Sequence, residues 1–263
     1  MTPTTDTMIK TEISERIGTI IFSNPAKRNA LSKELLTGLN AALDDFRQKK
    51  IAVVVLRAEA GARIWSAGHD ISELPLNKDP LGYYDALEET LRNIQCFPGP
   101  VICMIQGGVW GGACDLAMTS DIVIGDHSST FAITPVKLGL PYNASGILHF
   151  INRLGINMAK EMFFTAAPVP AERAKELGIL NHLVSADELE KFTMDMAKQM
   201  ASHSPLSISV IKEQFRLLSN AYPISPETFE MIQGLRRKVY DSQDYAEGIR
   251  AFKEKRTPNF KGI

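Results

Sequence analysis

Five short runs rich in Val and Ile recur between stretches of helical periodicity, and this alternation constrains the fold most. They are "IGTIIFS" (17–23), "AVVVLRA" (52–58), "VICMIQG" (101–107), "DIVIGD" (121–126) and "ILNHLVS" (179–185). β-Branched runs of this length read as strands. The third is nearly all apolar, as expected of a strand covered on both faces. Between the first two, Ser32 opens a helix with Leu35, Leu39, Leu43 and Phe46 at helical spacing. A second helix is expected over 85–96, stopping before "PGP". From 145 onward the pattern is helical apart from 179–185, with Pro170 and Pro205 at N1 positions and Gly178 just past the helix of "AERAKELG". The fold class is α/β with helices packed beside the core.

A chain of 263 residues buries a core without disulfide staples. Its net charge of −1 offers no global field for nucleic acid or an anionic membrane, so any polyanionic ligand must be held locally. The start, "MTPTTDTMIK", is polar and carries no apolar stretch of a signal peptide, and no run approaches the ~18 apolar residues of a membrane helix. The three cysteines, Cys96, Cys103 and Cys114, form no CxxC pair. They read as reduced thiols in a cytoplasmic protein, Cys114 as a small apolar filler rather than a nucleophile.

The stretch "GGVWGGACDLAM" (107–118) places glycines directly before a helix at 112–119 that is apolar nearly all round and therefore internal. Its first N–H groups lack intrahelical partners and carry the positive end of the helix dipole. Glycine lets a ligand oxygen reach them, although a tight strand–helix junction alone accounts for the same residues. A second stretch, "WSAGHDISEL" (65–74), repeats the theme. There Asp70 and Glu73 have the D-x-x-E spacing of a capping box, and the His69 N–H sits at the bend. Two such N–H groups converging would form an oxyanion hole. The histidines have no HxxxH or HxH spacing for a metal, and no GxSxG supports a nucleophile triad. The Pro-, Asn- and Gly-bearing loop 72–84 is long enough to flank such a site.

"NPAKRNALS", "WSAGHDI", "GGVWGGACDLAMTSDIVI", "TFAITPVKLGLPYNASG" and "DYAEGIRAFKEKRTPNFKG" occur in the order found in the crotonase (enoyl-CoA hydratase/isomerase) superfamily. The chain resembles that superfamily over roughly residues 15–262. The resemblance implies a crotonase-like spiral of ββα units over 1–200, a C-terminal helical trimerisation region over 201–263, and a trimer or hexamer. It implies an acyl-CoA thioester as substrate, with coenzyme A part of that substrate and no separate cofactor or metal. The family's oxyanion donors map to the N–H groups of His69 and Gly112. The segment Ala67, Gly68, His69, Asp70 and Ile71 would lie along the CoA, Lys27 and Arg28 near its phosphates, and Lys255 at a C-terminal contact.

Hydratases of this family hold water between two glutamates. Here the two positions read Asp115 and Val136, and Val136 transfers no proton. The pattern instead resembles the branch that decarboxylates malonyl-type thioesters, converting methylmalonyl-CoA to propionyl-CoA. Loss of CO2 needs no initiating base, since the oxyanion hole takes the enolate charge. The resemblance places Tyr142 and Thr134 near the departing carboxylate. Asp115 departs from the glutamate of that branch. It leaves room for a substituent, holds a protonating water, or bridges buried polar groups. The rival enzyme reading is a hydratase or hydrolase using Asp115 alone. RNA binding is disfavoured because "SKELLTGLNAALDDFRQKK" is a mixed, solvated helix face and not a basic comb.

Overall fold

The computed structural model describes residues 8–76, 78–219 and 225–262; the first seven residues of the polar N-terminal stretch lie outside them. The chain opens with an antiparallel hairpin, β1 (Ile9–Ser14) and β2 (Ile17–Phe22), turning at Glu15 with φ +56°. Helix α1 (Lys33–Gln48) follows, capped by the Ser32 hydroxyl on the Leu35 N–H as the sequence indicates. Leu35, Leu39, Leu43 and Phe46 are its buried stripe.

A two-strand-plus-helix unit then repeats. β3 (Val53–Ala58) and β4 (Ile64–Ser66) lead to α2 (Ala86–Gln95), whose N-cap is Asp85. β5 (Val101–Ile105) and β6 (Gly108–Trp110) lead to α3 (Gly112–Thr119). β7 (Ile122–Asp126) and β8 (Thr130–Ala132) lead to α4 (Ala144–Leu154), capped by Asn143. Then come α5 (Ile156–Thr165), β9 (Val169–Pro170), α6 (Ala171–Glu176) and β10 (His182–Val184). The chain ends in α7 (Leu189–Ala201), α8 (Pro205–Ser219), α9 (Pro226–Tyr240) and α10 (Gln243–Lys253).

The first strand of each unit enters a large sheet of order β1-β2-β3-β5-β7-β10, parallel beyond the opening hairpin. The second strand enters a small sheet of order β4-β6-β8-β9. The chain therefore spirals, each ββα unit stacking on the one before. β5 is buried along its whole length, as its apolar sequence requires.

Two expectations change in detail. "VICMIQG" does not run as one strand into the glycines: β5 stops at Ile105, and Gly108–Trp110 is a separate strand of the second sheet. Pro170 is the N-cap of α6, with Ala171 as the first helical residue; its extended ψ of 164° keeps it in the antiparallel pair with Thr130. Pro205 does begin α8, and Gly178 follows α6 with φ +81°.

The last helices hold the loop that flanks the site. The Arg236 guanidinium reaches Asp79 at 2.6 Å, and the buried Tyr245 donates to the Pro75 carbonyl at 2.9 Å. Helix α8 is pinned to the core by Lys212, which donates to the carbonyls of Ile94 and Gly99 and to Asp121.

One glycine sets the distance between successive turns of the spiral. Gly68 has φ +80°, and a β-carbon on it would lie 2.3 Å from the Trp110 carbonyl oxygen. Both the left-handed backbone and the close approach demand glycine. Gly68→Ala is expected to cost about 2 kcal/mol or more and to lower the thermal midpoint; an unchanged melting curve would show that the two turns need not be this close.

Candidate active site

The turn after β4 and the turn before α3 face each other across a cleft of about 50 Å³. From the first turn come Ala67, His69 and Ile71; from the second come Gly111 and Gly112. Gly111 is the N-cap of α3 with φ +53° and ψ −123°, a conformation open to glycine. It turns the chain so that Gly112 starts the helix with its N–H toward the cleft side. A β-carbon on Gly112 would lie 3.7 Å from the His69 nitrogen, so the two amides stand side by side. Among the described residues neither N–H donates to a protein acceptor. Two unsatisfied, adjacent donors at a helix mouth form an oxyanion-binding arrangement.

The opposite wall comes from the segment that joins β8 to α4. Thr134, Pro135, Leu138, Leu140 and Tyr142 line it. The Thr134 hydroxyl makes no hydrogen bond to protein among the described residues and is free for a ligand. Val136 is 46% exposed and stands off the lining. It shares the short 3₁₀ turn Pro135–Leu138 with residues that do face the cleft.

Asp115 lies beneath this wall and does not line the cleft. It is 1% exposed, and its carboxylate accepts from the Tyr142 hydroxyl at 3.0 Å and from His149 Nδ1 at 2.7 Å. Of the three roles open in the sequence, bridging buried polar groups is the one this geometry displays. Burial, reinforced by the Asp115 charge, pushes the Tyr142 hydroxyl far above its ordinary pKa, so it stays protonated. Its one proton is directed at Asp115 rather than into the cleft.

Sequence reasoning missed the partners around this acid. His149 also approaches Thr119 Oγ1 at 3.2 Å and, through Nε2, Gln95 Nε2 at 3.0 Å. Burial pulls the His149 pKa down, but the charge and hydrogen bond of Asp115 together with Glu88 more than reverse this, and the net shift is upward. Glu88 is itself buried, held by Asn143 Nδ2 at 2.6 Å and by the Ser145 hydroxyl at 3.0 Å. Burial raises its pKa, and the nearby Asp115 adds to the rise. The only trace of this cluster in the sequence is an α-helix whose buried face carries His149 instead of an aliphatic residue.

The remaining predicted residues separate into two groups. Lys27 and Arg28 lie in a loop stitched to the 65–68 segment. The Ala67 N–H donates to the Arg28 carbonyl at 2.9 Å, and Asn29 Nδ2 donates to the Trp65 carbonyl at 3.0 Å. Lys27 reaches Asp70 at 3.2 Å. Burial opposes the Asp70 charge, but the Ser72 hydrogen bonds and Lys27 outweigh it and lower the pKa. Asp70 caps the Ser72 N–H, whereas Glu73 accepts from the Lys33 N–H, so the expected reciprocal capping box is only half formed. Lys255 stands apart, exposed beyond the end of α10, the helix that packs on the Pro135–Leu138 turn. Cys114 is fully buried beside the oxyanion turn, and burial raises its thiol pKa, as suits a packing residue.

Residues 12–263 match the model of the family described as enoyl-CoA hydratase/isomerase. The chain belongs to that family. It is 48% identical to methylmalonyl-CoA decarboxylase of Escherichia coli (strain K12), over 94% of this chain and 95% of the relative. It is 28% identical to 2,3-dehydroadipyl-CoA hydratase of the same organism, over 94% and 96%. A solved structure of methylmalonyl-CoA decarboxylase in complex with 2-nitronate-propionyl-CoA superposes with a TM-score of 0.96 at 47% identity, covering 97% of this chain and 99% of that one.

The amide pair yields a direct test. Gly112→Pro deletes one donor while suiting the first position of a helix. The variant is expected to fold once the Leu87 side chain gives way, since a β-carbon would fall 2.8 Å from its Cδ2, and to keep its CoA affinity yet lose about 10²-fold or more in turnover. A folded Gly112→Pro protein with parental turnover would reduce the glycines to a plain turn.

Proposed function

We infer that this chain decarboxylates a malonyl-type acyl-CoA thioester, with methylmalonyl-CoA as substrate and propionyl-CoA and CO2 as products. One observation carries the reading: the cleft presents two unpaired amide donors, and no carboxylate lines it among the described residues. Hydration needs an acid and a base on the reacting atoms, and this cleft presents neither. Decarboxylation needs only a place for the electron pair released when the bond from the α-carbon to CO2 breaks. That pair moves into the enolate, whose oxygen the N–H groups of His69 and Gly112 hold. A proton then enters at the α-carbon from solvent and completes the product.

The side chains favour the same direction. The Thr134 hydroxyl is free to take the substrate carboxylate and set its bond across the thioester plane. Tyr142 donates its hydroxyl hydrogen to Asp115 and so presents no donor to the cleft. A carboxylate beside it gains no hydrogen bond there, and CO2, being neutral, is better tolerated by Leu138, Leu140 and Pro135. The high identity to methylmalonyl-CoA decarboxylase supports the assignment.

We place the CoA along Ala67–Ile71, with Lys27, Arg28 and Lys255 as its cationic contacts. No cofactor enters the reaction. The C-terminal region 201–263 serves assembly, because α8 and α9 expose the large apolar side chains Leu206, Phe215, Leu218, Phe229 and Leu235, which a partner would cover. No helix among the described residues is long and apolar enough to cross a membrane, which suits a cytoplasmic enzyme.

Product analysis tests the activity. Methylmalonyl-CoA should give CO2 and propionyl-CoA, with malonyl- and ethylmalonyl-CoA differing from it by about 10–200-fold, the range one methylene provides. Hydration of an enoyl-CoA without CO2 release from any malonyl-type thioester would reverse the assignment. Sedimentation should give three or six times the 29.0 kDa chain mass; a monomer would leave the exposed apolar face without this explanation.

A further inference from the structure

The buried acid beneath the cleft is held from two sides by groups the reaction itself does not touch. Asp115 has two hydrogen-bond donors among the described residues: the Tyr142 hydroxyl on one oxygen and His149 Nδ1 on the other. Tyr142 precedes α4 and His149 lies within it, while Asp115 belongs to α3. The three side chains therefore cross the α3–α4 contact as one chain of hydrogen bonds. Its outer end is fixed as well. Gln95 from α2 engages His149 Nε2, and Thr119 from α3 sits beside Nδ1, so both edges of the ring are occupied.

We propose that His149 is a positioning residue for decarboxylation: by holding Asp115, it fixes the direction in which the Tyr142 hydroxyl points at the cleft wall. The proposal rests on the decarboxylation reading above. Asp115 is 1% exposed, so its oxygens depend on these donors in place of water. With His149 absent, the Asp115 oxygen it held loses its donor, so the carboxylate is no longer pinned in one orientation and the phenol loses its fixed acceptor. The Tyr142 hydroxyl is then free to turn and donate to the substrate's carboxylate. Thr134 already suffices to orient that carboxylate; a second hydrogen bond only stabilises the bound substrate and is lost when CO2 departs, so it raises the barrier. His149 thus acts at a distance from the substrate, through Asp115 and then Tyr142.

The mechanism predicts a particular kinetic pattern. His149→Leu should lower kcat by about 10–100-fold while KM stays level or falls, because the ground state is bound more tightly. The loss should disappear when Tyr142 is already Phe, since no hydroxyl remains to be directed. His149→Asn, whose amide nitrogen stands where Nδ1 stands, should retain kcat within about threefold. His149→Gln, whose amide reaches the Nε2 position toward Gln95, should resemble His149→Leu.

The decisive measurement is the double-mutant cycle between positions 142 and 149, with melting temperatures matched. An equal kcat loss from His149→Leu in both backgrounds would overturn the proposal and make His149 a packing residue. If His149→Leu does not fold, the Asn and Gln variants carry the test, and equal kcat values for the two would overturn it. Failure of the parent protein to release CO2 would instead refute the activity, so the two failures are distinguishable.

Discussion

The active site depends on how closely two turns of the backbone approach each other. β4 and β6 are neighbours in the small sheet, and the chain leaving each of them must bend at the same level. At Gly68 the separation is so small that a β-carbon would fall 2.3 Å from the Trp110 carbonyl oxygen and 3.1 Å from the Gly112 nitrogen. This contact sets the His69 and Gly112 amides beside each other. Both are main-chain groups on rigid elements, so the donors are positioned by the fold and cost little reorganisation when charge develops. The spiral is thus a device for stacking turns, and the amide pair lies where two of them nearly touch.

The second constraint is a charge buried without solvent. Asp115 occupies the first turn of α3, where the helix dipole favours a carboxylate. The dipole does not replace hydration, and a buried carboxylate with a partner removed typically costs 3–5 kcal/mol. Tyr142 and His149 meet that requirement, and in doing so they tie α4 to α3. The same hydrogen bonds also decide what the cleft sees: a phenol oxygen and not a carboxylate. Structural need and chemical selectivity are therefore met by one set of contacts.

The long elements were legible in the sequence because they obey a single period. The Leu35–Phe46 stripe, the apolar β5 and the caps at Ser32 and Gly178 all follow local rules. The three-residue strands β4, β6 and β8 were not legible. Each is too short to show alternation, and Gly108 and Thr130 at their starts read equally well as loop. Pro170 obeyed its neighbour on β8 in place of the helix it begins. At the site, the glycine patterns pointed to the two amides, which the structure does bring side by side, although in sequence alone a tight junction explained them equally well. The role of Asp115 stayed open because His149 is 34 positions away in sequence, and nothing local marks it as a partner. Likewise Val136 could be placed in the right segment, but not off the lining, because a 3₁₀ turn decides which of its residues face inward.

The likeness to relatives named as hydratases, at 28% identity over nearly the whole chain, fits this division between backbone and side chains. An amide pair stabilises charge on a thioester oxygen whatever produced that charge, so the spiral can persist while the reaction changes. What selects the reaction is the wall facing the amides. A wall with a carboxylate aimed at the reacting carbon moves protons. A wall of Leu138, Leu140 and Pro135, with Thr134 as a free hydroxyl and Asp115 kept behind Tyr142, offers no base. It lowers the stability of a charged carboxylate relative to neutral CO2. Here the acid has not been deleted; it has been turned away from the cleft and screened by a phenol. The departure from a hydratase thus lies less in which residues α3 carries than in what α4 sets against them.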